Sequence, residues 1–374
     1  MKKVVFVAKT NLNNDGRILN ELKILKDFYV DQFSFDFILM PDKPLTIEIT
    51  EIDNLHILDS NIRNNKFLRA FTVFDFTLQC FKKLKQIKPE IIHAQDTAIT
   101  LPILLYKKYV DTKVVVIYDD HEVPNENEGV SIRLFQYFES RLMQLSQKII
   151  TANKERLLYL AENNRNFDRS RADYFLNLPY FEDVNLSKEF TLSETIKLLK
   201  QKQEANYKYI MHQGIIEVER GRDKLADFSE KLDEVCKILI VGVSKEYFNN
   251  FLEEYKLDGT KFIFVGSVPY FELAEYWRLV DASIVMYLPT YLNNKLCAPN
   301  RLYISFLNSI PIIVNKNNPV LSNFIEENTC GLYIEDINKN NIENIWSIKY
   351  TSDKIEGLKT YEKSKLVDIY KEFN

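Results

Sequence analysis

The chain is short of several things, and each shortage excludes a class of protein. Its four cysteines, Cys80, Cys236, Cys297 and Cys330, lie far apart with no CxxC pair, which argues against a zinc knuckle and against a disulfide framework and fits reduced thiols in a cytoplasm. No run approaches the roughly 18 to 20 apolar residues needed to span a bilayer. The start, MKKVVFVAKTN, is broken by Lys9 before it reaches the length of a signal sequence, so it reads as a first strand. Positive charge is not in excess either. With a formal net charge of -4 and a pI near 5.8, no global basic field recruits nucleic acid. Glycine is scarce, at 9 residues beside 25 Phe and 21 Tyr. We assign that bias no functional weight.

What is present is the material of two globular domains. A chain of 374 residues, 46% hydrophobic and 27% charged, exceeds what one core usually supports. Short apolar runs alternate with stretches of helical period, the pattern of parallel sheets covered on both faces by helices. Strands are predicted at 3–8, 33–39, 55–58, 90–94, 113–118, 148–151 and 174–177, with helices such as 16–27 and 97–109 between them. A second series follows at 209–212, 235–241, 261–265, 282–287, 311–314 and 331–334. The polar stretch between the series, 181–206, reads as a linker carrying one surface helix. In such open sheets ligands bind outside the carboxyl ends of the strands, and a cleft between two of them is the expected site. One strand ends conspicuously: VVIYDDHE places Asp119, Asp120, His121 and Glu122 directly after an apolar run.

Six stretches, in order along both halves, resemble motifs of glycosyltransferases with the GT-B fold, specifically family 4. They are NNDGRILNELKIL, IIHAQD, VVIYDDHE, HQGIIEVERG, APNRLYISFLNSIPIIV and FIEENTCGLYIED. The resemblance implies two doubly wound Rossmann-like α/β domains facing a cleft. The acceptor domain would be 1–180 plus about 352–374, whose final helix crosses back, and the donor-nucleotide domain 207–351. It also implies transfer of a sugar, with retention and without a metal, from a nucleotide-sugar donor to a glycan or lipid-linked acceptor in polysaccharide assembly. No cofactor is implied beyond the donor.

Each candidate residue has a functional and a structural reading. His121, by resemblance, contacts the moving sugar; the alternative is an imidazole satisfied by a neighbouring carboxylate. Glu122 and Asp120 would position it, or else be a solvated loop carboxylate and a turn cap. Asp119 and Asp120 also invite comparison with the acidic metal motif of another glycosyltransferase fold. That motif sits beside the donor, whereas this pair lies in the acceptor half, so a metal is not expected. Arg220, at a strand-to-helix turn beside Gly214, suits a diphosphate, because helix N-termini and guanidinium forks both favour anions. Pro299, Asn300 and Arg301 open a further helix start, with Lys295 in support, and by resemblance form the donor-phosphate loop. Asp15, Arg17, His93 and Asp96 follow strands where an acceptor would approach; Asp15 equally suits a helix cap. One departure stands out. The family's ribose-binding glutamate falls on Ile304 and its following glycine on Ser309, leaving Ser305 as the nearest replacement. This keeps open a non-catalytic glycosyltransferase-like subunit that supports an active partner, and a nucleotide-sugar epimerase. Finally, 63–88 carries Phe67, Phe71, Phe74 and Phe81 with seven basic residues and one acid. Its aromatics pack on their own sheet, or its basic face holds a cytoplasmic enzyme at an anionic membrane.

Overall fold

The computed structural model describes the chain except residues 11, 14, 42, 46–48, 60–71, 122–129, 180–193 and 269, and describes 130–132 and 270–272 by their backbone alone. Glu122, residues 63–71 of the basic segment and most of the linker therefore lie outside the described residues. The chain divides into two compact units, one of residues 1–180 with 359–374, the other of residues 181–358.

The first unit is built on a seven-stranded, wholly parallel sheet in the order β3-β2-β1-β4-β5-β6-β7. Its strands are β1 Lys2–Ala8, β2 Phe33–Leu39, β3 Asn54–Ile57, β4 Ile91–Gln95, β5 Val115–Asp120, β6 Lys148–Thr151 and β7 Ala172–Tyr174. Helices α1 Gly16–Phe28, α2 Thr72–Ile87, α3 Thr100–Tyr109, α4 Val130–Leu145 and α5 Lys154–Asn163 connect them. Side chains alternate across a strand, so β5 feeds two cores. Val116 and Tyr118 join Ile103, Leu142 and Leu157 on the α3, α4 and α5 face, and Ile117 joins Ile18, Leu22 and Phe6 on the α1 face.

The second unit has a six-stranded parallel sheet in the order β10-β9-β8-β11-β12-β13. Its strands are β8 Lys208–Gln213, β9 Cys236–Val241, β10 Phe262–Gly266, β11 Ala282–Ile284, β12 Ile312–Val314 and β13 Gly331–Tyr333. Around them stand α6 Glu194–Glu204, α7 Arg222–Ser229, α8 Lys245–Tyr255, α9 Tyr270–Trp277, α10 Leu292–Lys295, α11 Asn300–Leu307, α12 Pro319–Asn328 and α13 Asn344–Ser347. The order of connection reverses between β1 and β4 in one sheet and between β8 and β11 in the other. These are the switch points at which open α/β sheets take their ligands.

Two sequence expectations change. The helix in 181–206 is not a free surface element: Ile196 and Leu199 of α6 are buried against Tyr209, Met211 and Trp277. The strand expected to stop at Tyr118 continues through Asp119 and Asp120, which pair in register with Ile150 and Thr151 of β6.

The last helix, α14 Ser352–Lys371, ends within the first unit. There Leu366 and Tyr370 are fully buried among Tyr29, Phe33 and Phe6. The Tyr370 hydroxyl lies 2.7 Å from His93 Nδ1, and Tyr29 donates to the Val367 carbonyl at 2.7 Å. Truncating a buried aromatic costs about 3–5 kcal/mol, and leaving a buried polar partner unmet about 1–3. Tyr370→Ala is therefore expected to lower the stability of the first unit in urea denaturation by the larger figure and Tyr370→Phe by the smaller. Equal stability of Tyr370→Ala and the parent chain would show that the helix end is not part of this core.

Candidate functional sites

In the first unit the switch point is lined by an internal charge network. Asp119 and Asp120, adjacent on β5, face opposite sides of the sheet, and each meets an arginine from the helix layer on that side. Arg17, in the first turn of α1, holds Asp119 with both prongs, at 2.8 and 2.7 Å, and donates to the Phe175 carbonyl at 2.7 Å. Arg156, in the first turn of α5, sets its Nε 3.6 Å from Asp120 and donates to the His121 carbonyl. All four are at least nine-tenths buried. Burial alone would raise the Asp119 pKa, but Arg17 and His121 outweigh it and hold the carboxyl well below its usual range. Asp120 fares differently: burial, with Asp96 and Asp119 near, lifts it to about 6 against the pull of Arg156.

His121 follows directly. Its Nε2 lies 2.5 Å from Gln95 Oε1 and 3.2 Å from Asp119 Oδ2, so this nitrogen carries a proton and donates. Gln95 in turn donates to Glu21 at 2.9 Å, which fixes its amide orientation. Burial acts to lower the His121 pKa, and the charge and hydrogen bond of Asp119 overcome it, raising the ring to about 9. At neutral pH this is an imidazolium, a donor and not a base. Burial and the charge of Asp119 raise the Glu21 pKa well above its usual range, against the pull of Arg17. Glu21, His93 and Asp119 bring ligand atoms within 4.8 Å of one another. The Arg17 guanidinium already supplies the cation there, so the group does not fit a metal.

Among the expected acceptor residues, Arg17 is this internal strut. Asp15 is the N-cap of α1, accepting from Ile18 N at 3.3 Å and from the Thr10 hydroxyl at 2.8 Å. The reading of His93 as a ligand contact is corrected: it is fully enclosed on Phe6 and Tyr370, and burial lowers its pKa to about 3. Asp96 is half-buried with φ 70° and ψ 174°, a region essentially reserved for glycine. Its N–H donates to the Asp119 carbonyl at 2.9 Å. Strain of about 1–3 kcal/mol persists only where surroundings enforce it, typically at a functional site.

In the second unit, Gly214 follows β8 with φ 99°, and a side chain there would press on Arg301 Nη1 at 3.2 Å. Arg301, in the first turn of α11, donates to the Gln213 carbonyl and lies 5.2 Å from the Tyr287 ring centre. Arg220, in the turn before α7, sits 3.5 Å over the same ring and reaches Asn294 at 3.3 Å. Burial and the charge of Arg220 lower the Arg301 pKa. Among the described residues neither arginine forms a salt bridge, and the buried Nε of Arg301 has no hydrogen-bond partner. Lys295 is exposed at the end of α10, Asn300 is exposed at the start of α11, and Pro299 is the buried N-cap. His212, beside them, is a core histidine lowered by burial to about 3.

Ser305 does not replace the missing glutamate. It is fully buried, donates to the Arg301 carbonyl at 2.6 Å and meets Ser283 at 2.9 Å. Ile304 packs against the core of this unit. Ser309 has φ 58°, the left-handed conformation that a glycine adopts freely. Sequence reasoning missed Glu21, Gln95, Glu139 and Arg156. Glu21 is one helical turn beyond Arg17, the only local signal among them; Glu139 takes the Tyr118 hydroxyl at 2.5 Å and Thr97 at 2.8 Å.

A pH test follows from His121. Its folded pKa lies above the unfolded value of about 6.5, so its contribution is complete below about 6.5 and lost as pH rises through about 9. Glu139, raised by burial and Asp120 to about 8, slopes the same way at lower pH. Stability should fall between pH 6.5 and 9, and His121→Gln should remove about 2–3 kcal/mol of that fall. Parallel pH profiles for the two proteins would contradict a charged His121.

No family model and no curated protein matches the chain. Solved structures do. Sucrose-phosphate synthase from Thermosynechococcus elongatus aligns over 100% of this chain and 99% of its own, with TM-score 0.70 and 13% identity. Anabaena HepE in complex with UDP and glucose aligns over 100% and 98%, at 0.65 and 12%. A glycosyltransferase from Rickettsia africae aligns over 99% and 94%, at 0.62 and 16%. The chain therefore has the two-domain α/β fold of GT-B glycosyltransferases.

Proposed function

We propose that this protein is a glycosyltransferase resembling family 4. It would take a sugar from a nucleotide-diphosphate sugar and pass it, with retention, to a hydroxyl of a glycan or lipid-linked acceptor in polysaccharide assembly. The observation that carries this is the pair Arg220 and Arg301, held on one tyrosine ring beside Gly214 with no carboxylate among the described residues to neutralise them. A diphosphate supplies the missing charge. Anabaena HepE, which shares this fold, is in complex with UDP and glucose, which supports a nucleotide-sugar donor for this chain.

In the reaction, the bond between the anomeric carbon and the phosphate oxygen breaks while the acceptor oxygen bonds the same face. The acceptor proton passes to the departing phosphate, so no strong protein base is needed. Arg220, Arg301, Lys295 and the N–H groups opening α11 stabilise the leaving charge, and such electrostatic stabilisation usually contributes more to the rate than any other single effect. His121, as an imidazolium fixed by Asp119 and Gln95, donates a hydrogen bond to the sugar. No metal has a role in this scheme. Ile304 favours a second reading, a binding subunit without turnover, because losing a charged acceptor weakens ribose binding by about 1.5–3 kcal/mol.

A thermal-shift panel of UDP-, GDP-, ADP-, CMP- and dTDP-sugars tests this. One donor class should raise the melting temperature, by the equivalent of about 2.7 kcal/mol at a hundredfold excess over Kd. Arg220→Ala should weaken that donor about 10- to 100-fold, while His121→Ala should keep the shift and lose transfer. A panel without any shift would refute donor binding. A shift without transfer to any acceptor would favour the binding subunit, and a changed sugar formed without acceptor would favour an epimerase.

A further inference from the structure

The two nitrogens of the His121 ring are in different situations. Nε2 lies 2.5 Å from Gln95 Oε1 and 3.2 Å from Asp119 Oδ2. Nδ1 has no hydrogen-bond partner among the described residues, and the side chain is 17% exposed. The two inward partners contribute differently. Both oxygens of Asp119 are already engaged by Arg17, at 2.8 and 2.7 Å, and its contact with His121 is longer than the about 2.7–2.9 Å of a good charge-assisted bond. Asp119 therefore supplies charge, while the shorter bond, which sets the direction of the ring, comes from Gln95.

Gln95 is itself held in place. It closes β4 in register with Asp119 of β5, so both side chains leave the sheet on the face that α1 covers. There its amide donates to Glu21 Oε2 at 2.9 Å. Glu21 stands one turn beyond Arg17, with Oε1 3.3 Å from that guanidinium, and both Glu21 and Gln95 are closed off from solvent. Asp96 joins Asp119 in favouring the charged ring, and Arg17 opposes them. Asp120, Arg156 and Glu139 belong to the other face of the sheet. In this setting a carboxylate at position 95 would add a third buried acid to Glu21 and Asp119, and a basic side chain would add a cation beside His121 and Arg17. A primary amide accepts from one neighbour and donates to the other without adding charge.

We propose that Gln95, anchored by Glu21, is a positioning residue for His121: it holds Nε2 inward and thereby presents Nδ1–H to an acceptor atom of a bound ligand. Only the identity of that atom rests on the reaction proposed above, in which it is an oxygen of the moving sugar. The inward bond leaves the imidazolium one outward donor of fixed direction, and a ring free to turn would offer either nitrogen.

Nitrogen-15 NMR of the full chain, labelled in its histidine rings, tests this. The chain has four histidines. Burial lowers His93 and His212 to about 3 and lowers His56 as well, so the imidazolium seen near neutral pH belongs to His121. In the parent chain its Nε2 proton should be protected from exchange and its Nδ1 proton should exchange with solvent. The titration of the ring, at about 9 in the parent, should fall by about one pH unit in Gln95→Met, which removes a hydrogen bond to the charged form, and rise in the isosteric Gln95→Glu. Glu21→Gln, which keeps an acceptor for the Gln95 amide, should leave Nε2 protected, and Glu21→Leu should not. Should Gln95→Met fail to fold, the parent chain and Gln95→Glu still decide. Faster exchange at Nε2 than at Nδ1, or a titration that neither Gln95 variant moves, would overturn the proposal. Protection of Nδ1 on adding UDP-glucose would support the sugar contact and its absence would overturn that contact, whereas a donor panel without any shift would overturn the reaction and leave the role of Gln95 to the spectra.

Discussion

The first unit depends on the way two adjacent carboxylates are buried at the end of β5. Desolvating a carboxylate costs several kcal/mol unless it is paired and hydrogen-bonded. Because a strand sends neighbouring side chains to opposite faces, Asp119 and Asp120 cannot share a partner, and the fold supplies two. Arg17 comes from the α1 layer and Arg156 from the α5 layer. These pairs let β5 continue two residues past its apolar run. His121 is then delivered with Asp119 on its ring nitrogen and Arg156 on its carbonyl. Removing either arginine would leave a buried charge unmet, which costs about 3–5 kcal/mol. The network thus ties α1, β4, β5 and, through His93 and Tyr370, the end of α14 into one polar core.

The second unit uses arginine in the opposite way. Arg220 and Arg301 are held by an aromatic ring, an asparagine and a backbone carbonyl, none of which carries charge. In the first unit each buried guanidinium has its acid; here burial lowers the Arg301 pKa and a neighbouring arginine lowers it further. Such an arrangement is stable in proportion to what anion it meets. The tight approach of Gly214 to Arg301 leaves the backbone bare where that anion would lie.

Much of the fold was legible because buried parallel strands are written as local apolar runs. All thirteen described strands were anticipated, with ends displaced by a few residues where polar pairing extended or shortened them. The partners of the polar groups were not legible, because Arg17 and Asp119, or Tyr370 and His93, are more than a hundred residues apart and no local pattern encodes the pairing. Burial was equally hidden. His93 and Ser305 look like ligand residues by position, yet both are closed off by neighbours that only the tertiary structure supplies. Ser309 shows the reverse case. Its left-handed backbone keeps the conformation of a glycine turn that its side chain does not advertise.

On the function proposed above, the second unit holds a diphosphate on Arg220 and Arg301, which form no salt bridge among the described residues. Calorimetric titration of a nucleoside diphosphate against the corresponding nucleoside, with the parent chain and with Arg301→Ala, tests it most directly. The diphosphate should bind about 100-fold or more tightly than the nucleoside, as expected for at least two charge-assisted hydrogen bonds, and the substitution should erase most of that advantage. Equal affinity for the two ligands, or a diphosphate preference that survives Arg301→Ala unchanged, would contradict it.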